Sequence, residues 1–239
     1  IGFVVFTNIA QKIRFARKGQ IFYLSLHVKI VLISTVVLIV SGFVFTFISF
    51  YKTSLWELPL SKRILTALFE SVTLRTAGFE TIPQTSFTSS ASLFHLVLMF
   101  IGGSPGSIAG GVKTTTAFIT LLYLLDGNEQ RTTVSFANRR IPSTIINKSI
   151  TIVSRSVLIL LISAISLSYV ENHLISNGTI SLIDIIYESV SALATVGLSR
   201  GLTPQLSFLG KLIIIITMYI GRTGIYAMSI KSGFTGSDN

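Results

Sequence analysis

The sequence predicts an all-α membrane protein made of two parallel repeats of transmembrane helix, re-entrant pore loop and transmembrane helix, an arrangement like that of a K⁺ channel. Three observations carry the prediction. Half of the 239 residues are hydrophobic, mean hydropathy is +0.74 and only 12% are charged, whereas soluble domains are about a quarter charged. Two nearly uncharged runs reach the roughly 20 residues that cross a bilayer. A short Thr-x-Gly string recurs at matching places in two similar stretches. This composition excludes a disordered chain, a coiled coil and a conventional soluble enzyme. Absence of Cys and only three scattered His leave no disulfide framework and little from which to build a metal enzyme. The chain therefore reads as a non-enzyme with no covalently bound cofactor.

The elements follow in order. The apolar run Ile1–Ile9 is too short to cross a bilayer and looks like the tail of a helix begun upstream. Residues 1–27 are thus expected to be the end of a preceding repeat and a linker, in a chain that is part of a longer one. Ile30–Tyr51 is uncharged and of crossing length. Ile64–Phe79 is semi-apolar, too short to cross, and ends in Gly plus a hydrophobic residue, as a re-entrant segment would. Ser92–Leu125, 34 residues, is too long for one straight span and is interrupted by Gly102, Gly103, Pro105, Gly106, Gly110 and Gly111. The first repeat thus occupies residues 28–125, and a linker residues 126–149. The second repeat, 150–239, has a crossing helix through Val170, a short segment Leu182–Leu198 and a last helix Leu206–Ile230.

Offsets support a duplication. Gly78 and Gly197, Met99 and Met218, and Gly102 and Gly221 are each 119 apart, while Phe69-Glu70-Ser71-Val72 matches Tyr187-Glu188-Ser189-Val190 at 118. Apolar helices resemble one another, but that does not align Glu-Ser-Val and Gly positions. Charge then gives the orientation. Lys12, Arg14, Arg17, Lys18, Lys29, Arg131, Arg139, Arg140, Lys148, Arg155 and Lys231 fall on one side, eleven against the five of Lys52, Lys62, Arg63, Arg200 and Lys211. The positive-inside rule puts the linker and both ends in the cytoplasm, and both short segments dip in from outside. Most of the +10 net charge is thus topology, with the lipid bilayer and not nucleic acid as the partner it implies.

Extended backbone at membrane depth is tolerated only where it lines water or a cavity. There its carbonyls can replace a cation's hydration shell, as in the K⁺-channel filter. The candidate filter residues are Thr76, Ala77, Gly78 and Phe79 in one string and Thr195, Val196, Gly197 and Leu198 in the other. K⁺ is expected at the carbonyls of Thr76, Ala77, Gly78, Thr195, Val196 and Gly197. Glu70 and Glu188 precede the glycines by eight and nine residues. They either support the loop by accepting backbone N–H groups or add negative field near the pore.

The run Gly102-Gly103-Ser104-Pro105-Gly106-Ser107-Ile108-Ala109-Gly110-Gly111-Val112-Lys113-Thr114 approaches a phosphate-binding loop, but Val112 separates Gly111 from Lys113 and the preceding stretch is helical. It reads instead as a broken helix, either a gate below the filter or a passive kink with close glycine packing. Gate candidates are Gly102, Gly103, Ser104, Pro105, Gly106, Ser107, Gly110, Gly111, Lys113 and Arg222. Arg222 aligns with Gly103 and lies inside the last apolar helix. There it either faces the ion path and holds the loop through its carbonyls, or is a structural pair to a Glu or a helix end.

TAGF, GGSPGSIAGGVKTTT, TVGLS and GRTG, in this order, resemble the membrane subunit of the Trk/Ktr/HKT potassium transporter family. The resemblance covers nearly the whole chain, and it implies four helix–loop–helix repeats around one pore, of which this chain holds the third and fourth. It also implies that Gly78 and Gly197 are filter glycines, that residues 102–113 are the gating loop, and that the membrane subunit dimerises beneath a cytoplasmic nucleotide-binding regulatory ring. The expected function is uptake of K⁺ or Na⁺ across the cytoplasmic membrane. The alternatives are a secondary solute transporter with its site at broken helices and a non-conducting scaffold.

Overall fold

The computed structural model describes residues 2–20, 23–126, 134–137 and 139–223. The end of the predicted last helix, Lys231 and the C-terminal tail lie outside these, as does Arg131 in the linker. Helices α1 (Phe3–Arg17) and α2 (Leu26–Ser49) come first, then α3 (Leu60–Thr73), α4 (Ser89–Phe100) and α5 (Thr114–Asp126). A two-stranded antiparallel hairpin, β1 (Val134–Phe136) and β2 (Arg139–Ile141), follows. The described residues close with α6 (Ser143–Val170), the single turn α7 (Asn172–Ser176), α8 (Leu182–Leu193) and α9 (Phe208–Thr223). The protein is mostly helical, as composition predicts. Among the described residues, α2 and α6 are long and apolar enough to cross a membrane.

Both long helices begin earlier than their uncharged runs. Ser25 caps α2, its hydroxyl accepting from the Val28 N–H, and Pro142 fixes the entry to α6. Lys29, Lys148 and Arg155 therefore lie within helices, on turns from which long cationic side chains reach the interface. The hairpin was not foreseen in the linker. It is held by Val134 and Ile141, which pack with Ile119 of α5 and Ile146 of α6.

One order, long helix, short helix, extended segment, helix, occurs twice: α2, α3, α4 and α6, α8, α9. Each set has its own apolar cluster. Phe50, Ala67, Phe87 and Ala91 hold the first together, and Leu167, Ile185, Ala192, Leu206 and Ile214 are in the second. Each also has a buried polar link between its outer helices, Thr46 with His95 at 3.2 Å and Ser163 with Thr217 at 2.9 Å. A third cluster joins the sets: Leu74, Leu98 and Met99 from the first pack on Tyr187, Val190, Ala194, Val196 and Leu198 from the second. This joint sits directly behind the two Thr-x-Gly strings.

Candidate functional site

The strings share one backbone signature. φ is +69° at Thr76 and +75° at Gly78; it is +53° at Thr195 and +91° at Gly197. The middle residues, Ala77 and Val196, are not among the positive-φ positions. Changing the sign of φ from residue to residue turns successive carbonyls toward the same side. Positive φ is ordinary for Gly but uncommon for Thr, a β-branched residue. Such strain, about 1–3 kcal/mol per residue, persists only where the surroundings enforce it. One main-chain bond to the middle residue recurs in the two copies. The Ala77 N–H donates to the Thr73 carbonyl at 3.0 Å, and the Val196 N–H to the Ser191 carbonyl at 2.9 Å.

The two strings also touch. A Cβ built on Gly78 would lie 2.2 Å from the Val196 carbonyl oxygen, so only Gly fits there. The fourth residues differ: Leu198 is buried in the joint, whereas Phe79 is exposed. Phe79 is held through its backbone instead. Its N–H donates to Thr73 Oγ1 at 2.9 Å, and that hydroxyl donates to its carbonyl at 2.6 Å.

Glu70 and Glu188 are both buried, and their partners are side chains rather than the backbone N–H groups expected. Glu70 Oε1 accepts from Gln84 Nε2. Glu188 accepts from Ser199 Oγ at 2.7 Å and from Thr203 Oγ1. Gln84 and Thr203 are themselves 119 apart, so each glutamate ties its short helix to the same point on the chain leaving the string. Extending the sequence offset a few residues past the glycines would have found both. Glu171 is fully buried at the end of α6, where Oε1 accepts from the Ser207 N–H at 2.9 Å and its hydroxyl at 2.7 Å.

The predicted break in the long apolar stretch is where helix stops. α4 ends at Phe100 and α5 starts at Thr114. Between them the chain makes an excursion closed by its own main chain: the Gly102 N–H donates to the Val112 carbonyl at 2.9 Å and the Val112 N–H to the Phe100 carbonyl at 3.1 Å. Gly110 and Gly111 carry the loop under the second string, where the Gly110 N–H donates to Thr195 Oγ1 at 3.2 Å. A Cβ on Gly110 would come within 2.6 Å of the Ala194 carbonyl oxygen. Within the loop the Ser107 hydroxyl donates to the Ser104 carbonyl at 2.6 Å, and Lys113 Nζ donates to the Ala109 carbonyl. Gly103 leaves room for the Ser107 side chain, and Gly106 turns at φ +76° after Pro105. Arg222, 114 residues away in α9, donates from Nη1 to the Ile108 carbonyl at 2.7 Å. The structure thus brings together the strings, the loop and Arg222. An apolar cavity of about 660 Å³ borders the loop's neck, lined by Phe100, Ile101, Val112 and Leu121 among others.

Sequence reasoning missed Arg200 and Asp184 at the outer end of this region. They form an ion pair, Nε to Oδ1, at 2.7 Å. Burial pushes the Asp184 carboxyl up, but hydrogen bonds from Ser181 and Arg200, with the nearby Arg200 charge, outweigh it and hold the group below its ordinary value.

Two membrane-length helices, two strained strings in contact and a pinned glycine loop are the features of a helical membrane protein. The family model described as a cation transport protein, TrkH, matches residues 4–235. The chain is 33% identical over 226 residues to the potassium/sodium uptake protein NtpJ of Enterococcus hirae, covering 94% of this chain and 48% of that protein. It is 34% identical over 221 residues to the Ktr system potassium uptake protein B of Vibrio alginolyticus, covering 92% and 47%. The fold is similar to the crystal structure of the potassium transporter TrkH from Vibrio parahaemolyticus, with a TM-score of 0.67 over 82% of this chain and 42% of that one, at 20% identity. The chain belongs to the TrkH family of cation transport proteins, and it spans about half the length of the curated relatives it matches.

Proposed function

We propose that this chain supplies two of the four quadrants of a cation pore that takes up K⁺, or K⁺ and Na⁺, across the cytoplasmic membrane. The observation that carries the reading is the paired alternation of φ in strings that touch each other, with Thr held at positive φ in both. Carbonyls of Thr76, Ala77, Gly78, Thr195, Val196 and Gly197 replace water around the ion. Relatives named for potassium or potassium/sodium uptake support K⁺ as cargo. The linker and C-terminus face the cytoplasm. Two further repeats of the same polypeptide complete the ring, a second copy of the protein and a cytoplasmic nucleotide-binding subunit complete the assembly.

The glycine loop is the gate and Arg222 its latch. The latch contact is one hydrogen bond from a cation to the Ile108 carbonyl, and the cavity beside the neck leaves space for the neck to shift. A solute transporter built on inverted repeats is disfavoured, because the positive-inside charge pattern starts both units on the cytoplasmic side.

The test uses the full-length polypeptide in liposomes with ⁸⁶Rb⁺ uptake as readout. Deleting part of residues 104–110, or Arg222→Ala, is expected to raise uptake. Unchanged or lower uptake in a folded variant removes the gate. Absence of any K⁺ or Rb⁺ uptake by the unaltered protein removes the pore.

A further inference from the structure

Behind the strings, the two units are tied by polar bonds that the ion path does not use. Arg200 stands two residues past Leu198, with its side chain only 11% exposed. Within its own unit, Nε donates to Asp184 at the first turn of α8. Toward the other unit, Nη1 donates to the Gln84 main-chain carbonyl at 2.8 Å and to Ser92 Oγ at 2.6 Å. The Gln84 side chain crosses back: Oε1 accepts from the Tyr187 hydroxyl of α8 at 2.8 Å, while Nε2 donates to Glu70 of α3. Glu70, Gln84 and Tyr187 are all fully buried or within 1% of it. Gln84 is therefore gripped from α3, from α8 and from Arg200.

A planar guanidinium with donors to three groups fixes direction as well as distance, which a lysine ammonium on a flexible stem does not. Glu70 Oε2 apart, the buried partners are hydrogen-bonded to one another, so slipping the units past one another strands several of them. The strings already meet at Gly78 and Val196. The separation of their carbonyl rows is thus set by how the units are clamped a few residues further out. Spacing and field strength of a carbonyl cage decide which cation it prefers.

We infer that Arg200 and Tyr187, acting on Gln84, are positioning residues for ion selection: an inter-unit strap that holds the two carbonyl rows at the separation suited to K⁺ over Na⁺. The inference rests on the strings being filter walls. Neither residue touches the ion; each acts through the chain it holds.

The experiment is uptake by the full-length protein in liposomes, with ⁸⁶Rb⁺ and ²²Na⁺ measured on the same preparations. Tyr187→Phe removes one hydroxyl and Arg200→Lys keeps charge but loses the fork. We expect the Na⁺/Rb⁺ uptake ratio to rise about threefold in Tyr187→Phe and about tenfold in Arg200→Lys, the scale of losing one and two hydrogen bonds. An equal fall in both ions at constant ratio means a structural tie only and overturns the inference. Where Arg200→Lys fails to fold, Tyr187→Phe alone decides. Gly78→Ser separates the two readings: if it abolishes uptake while the strap variants keep the parental ratio, the strap fails and the filter stands. If Gly78→Ser leaves uptake unchanged, the filter reading fails first.

Discussion

The two Thr-x-Gly regions share a backbone and differ in almost everything that holds it. In the first, the Thr73 hydroxyl clasps both backbone groups of Phe79, and the Phe79 ring is exposed. In the second, Leu198 is driven into the apolar joint between the units. One glutamate, Glu188, engages two hydroxyls through both oxygens; the other, Glu70, has one amide partner, with Oε2 unpartnered among the described residues. What the two copies keep is the sign pattern of φ; what they vary is the chemistry that enforces it. A working geometry constrains the main chain, and many side-chain solutions satisfy it.

The largest expected effect sharpens the contrast at the glycines. At Gly78 a side chain meets both positive φ and the Val196 carbonyl at 2.2 Å, whereas at Gly197 the nearest atom is 4.0 Å away and only φ +91° opposes it. Gly78→Ser in the full-length protein should abolish Rb⁺ uptake. Gly197→Ser should lower it about tenfold, the scale of 1–2 kcal/mol of left-handed strain. Equal losses would show that contact between the strings does not matter.

Next come the glutamates. Glu188→Ala removes two hydrogen bonds, to the half-buried Ser199 and the exposed Thr203, and Glu70→Ala one, to the buried Gln84, at about 1 kcal/mol per bond lost. Thermal unfolding of the detergent-purified full-length protein should show Glu188→Ala losing about twice as much stability as Glu70→Ala. The reverse order would break the assignment of Glu188 as the stronger anchor.

Smallest is the clasp. Thr73→Val keeps shape but loses the Phe79 bonds and should cost about 1–2 kcal/mol in the same measurement. A neutral result would mean that the first string is held from elsewhere.

Much of this was legible in the chain. The helix break was, because six Gly and Pro positions between 102 and 111 cannot keep a helical ladder. The Thr-x-Gly strings and the two glutamates were, because they recur at offsets of 119 and 118. The starts of α2 and α6 were not, since an uncharged run is a poor guide to where a helix begins: Ser25 and Pro142 set the starts, and Lys29 and Lys148 ride inside. The bonds that Arg200, Gln84 and Tyr187 make between the units were invisible for another reason. They span 103 to 116 residues, and no local pattern encodes a partner that far away. Glu171 did not stand out either, because its donors, the Ser207 N–H and hydroxyl, lie 36 residues on.

The neck of the glycine loop has a consequence for the order of events during synthesis. Its closing bonds join Gly102 to Val112 and Val112 to Phe100, partners that leave the ribosome within moments of one another. Arg222, which pins the same loop, is made more than a hundred residues later. Chains fold broadly from the N-terminus as they emerge, and short closures form before distant ones. The loop is therefore shaped well before it is fastened, and a nascent chain passes through a stage in which it is closed on itself but unattached. Arg222→Ala would leave the finished loop without this late fastening, while Gly110 still bonds Thr195.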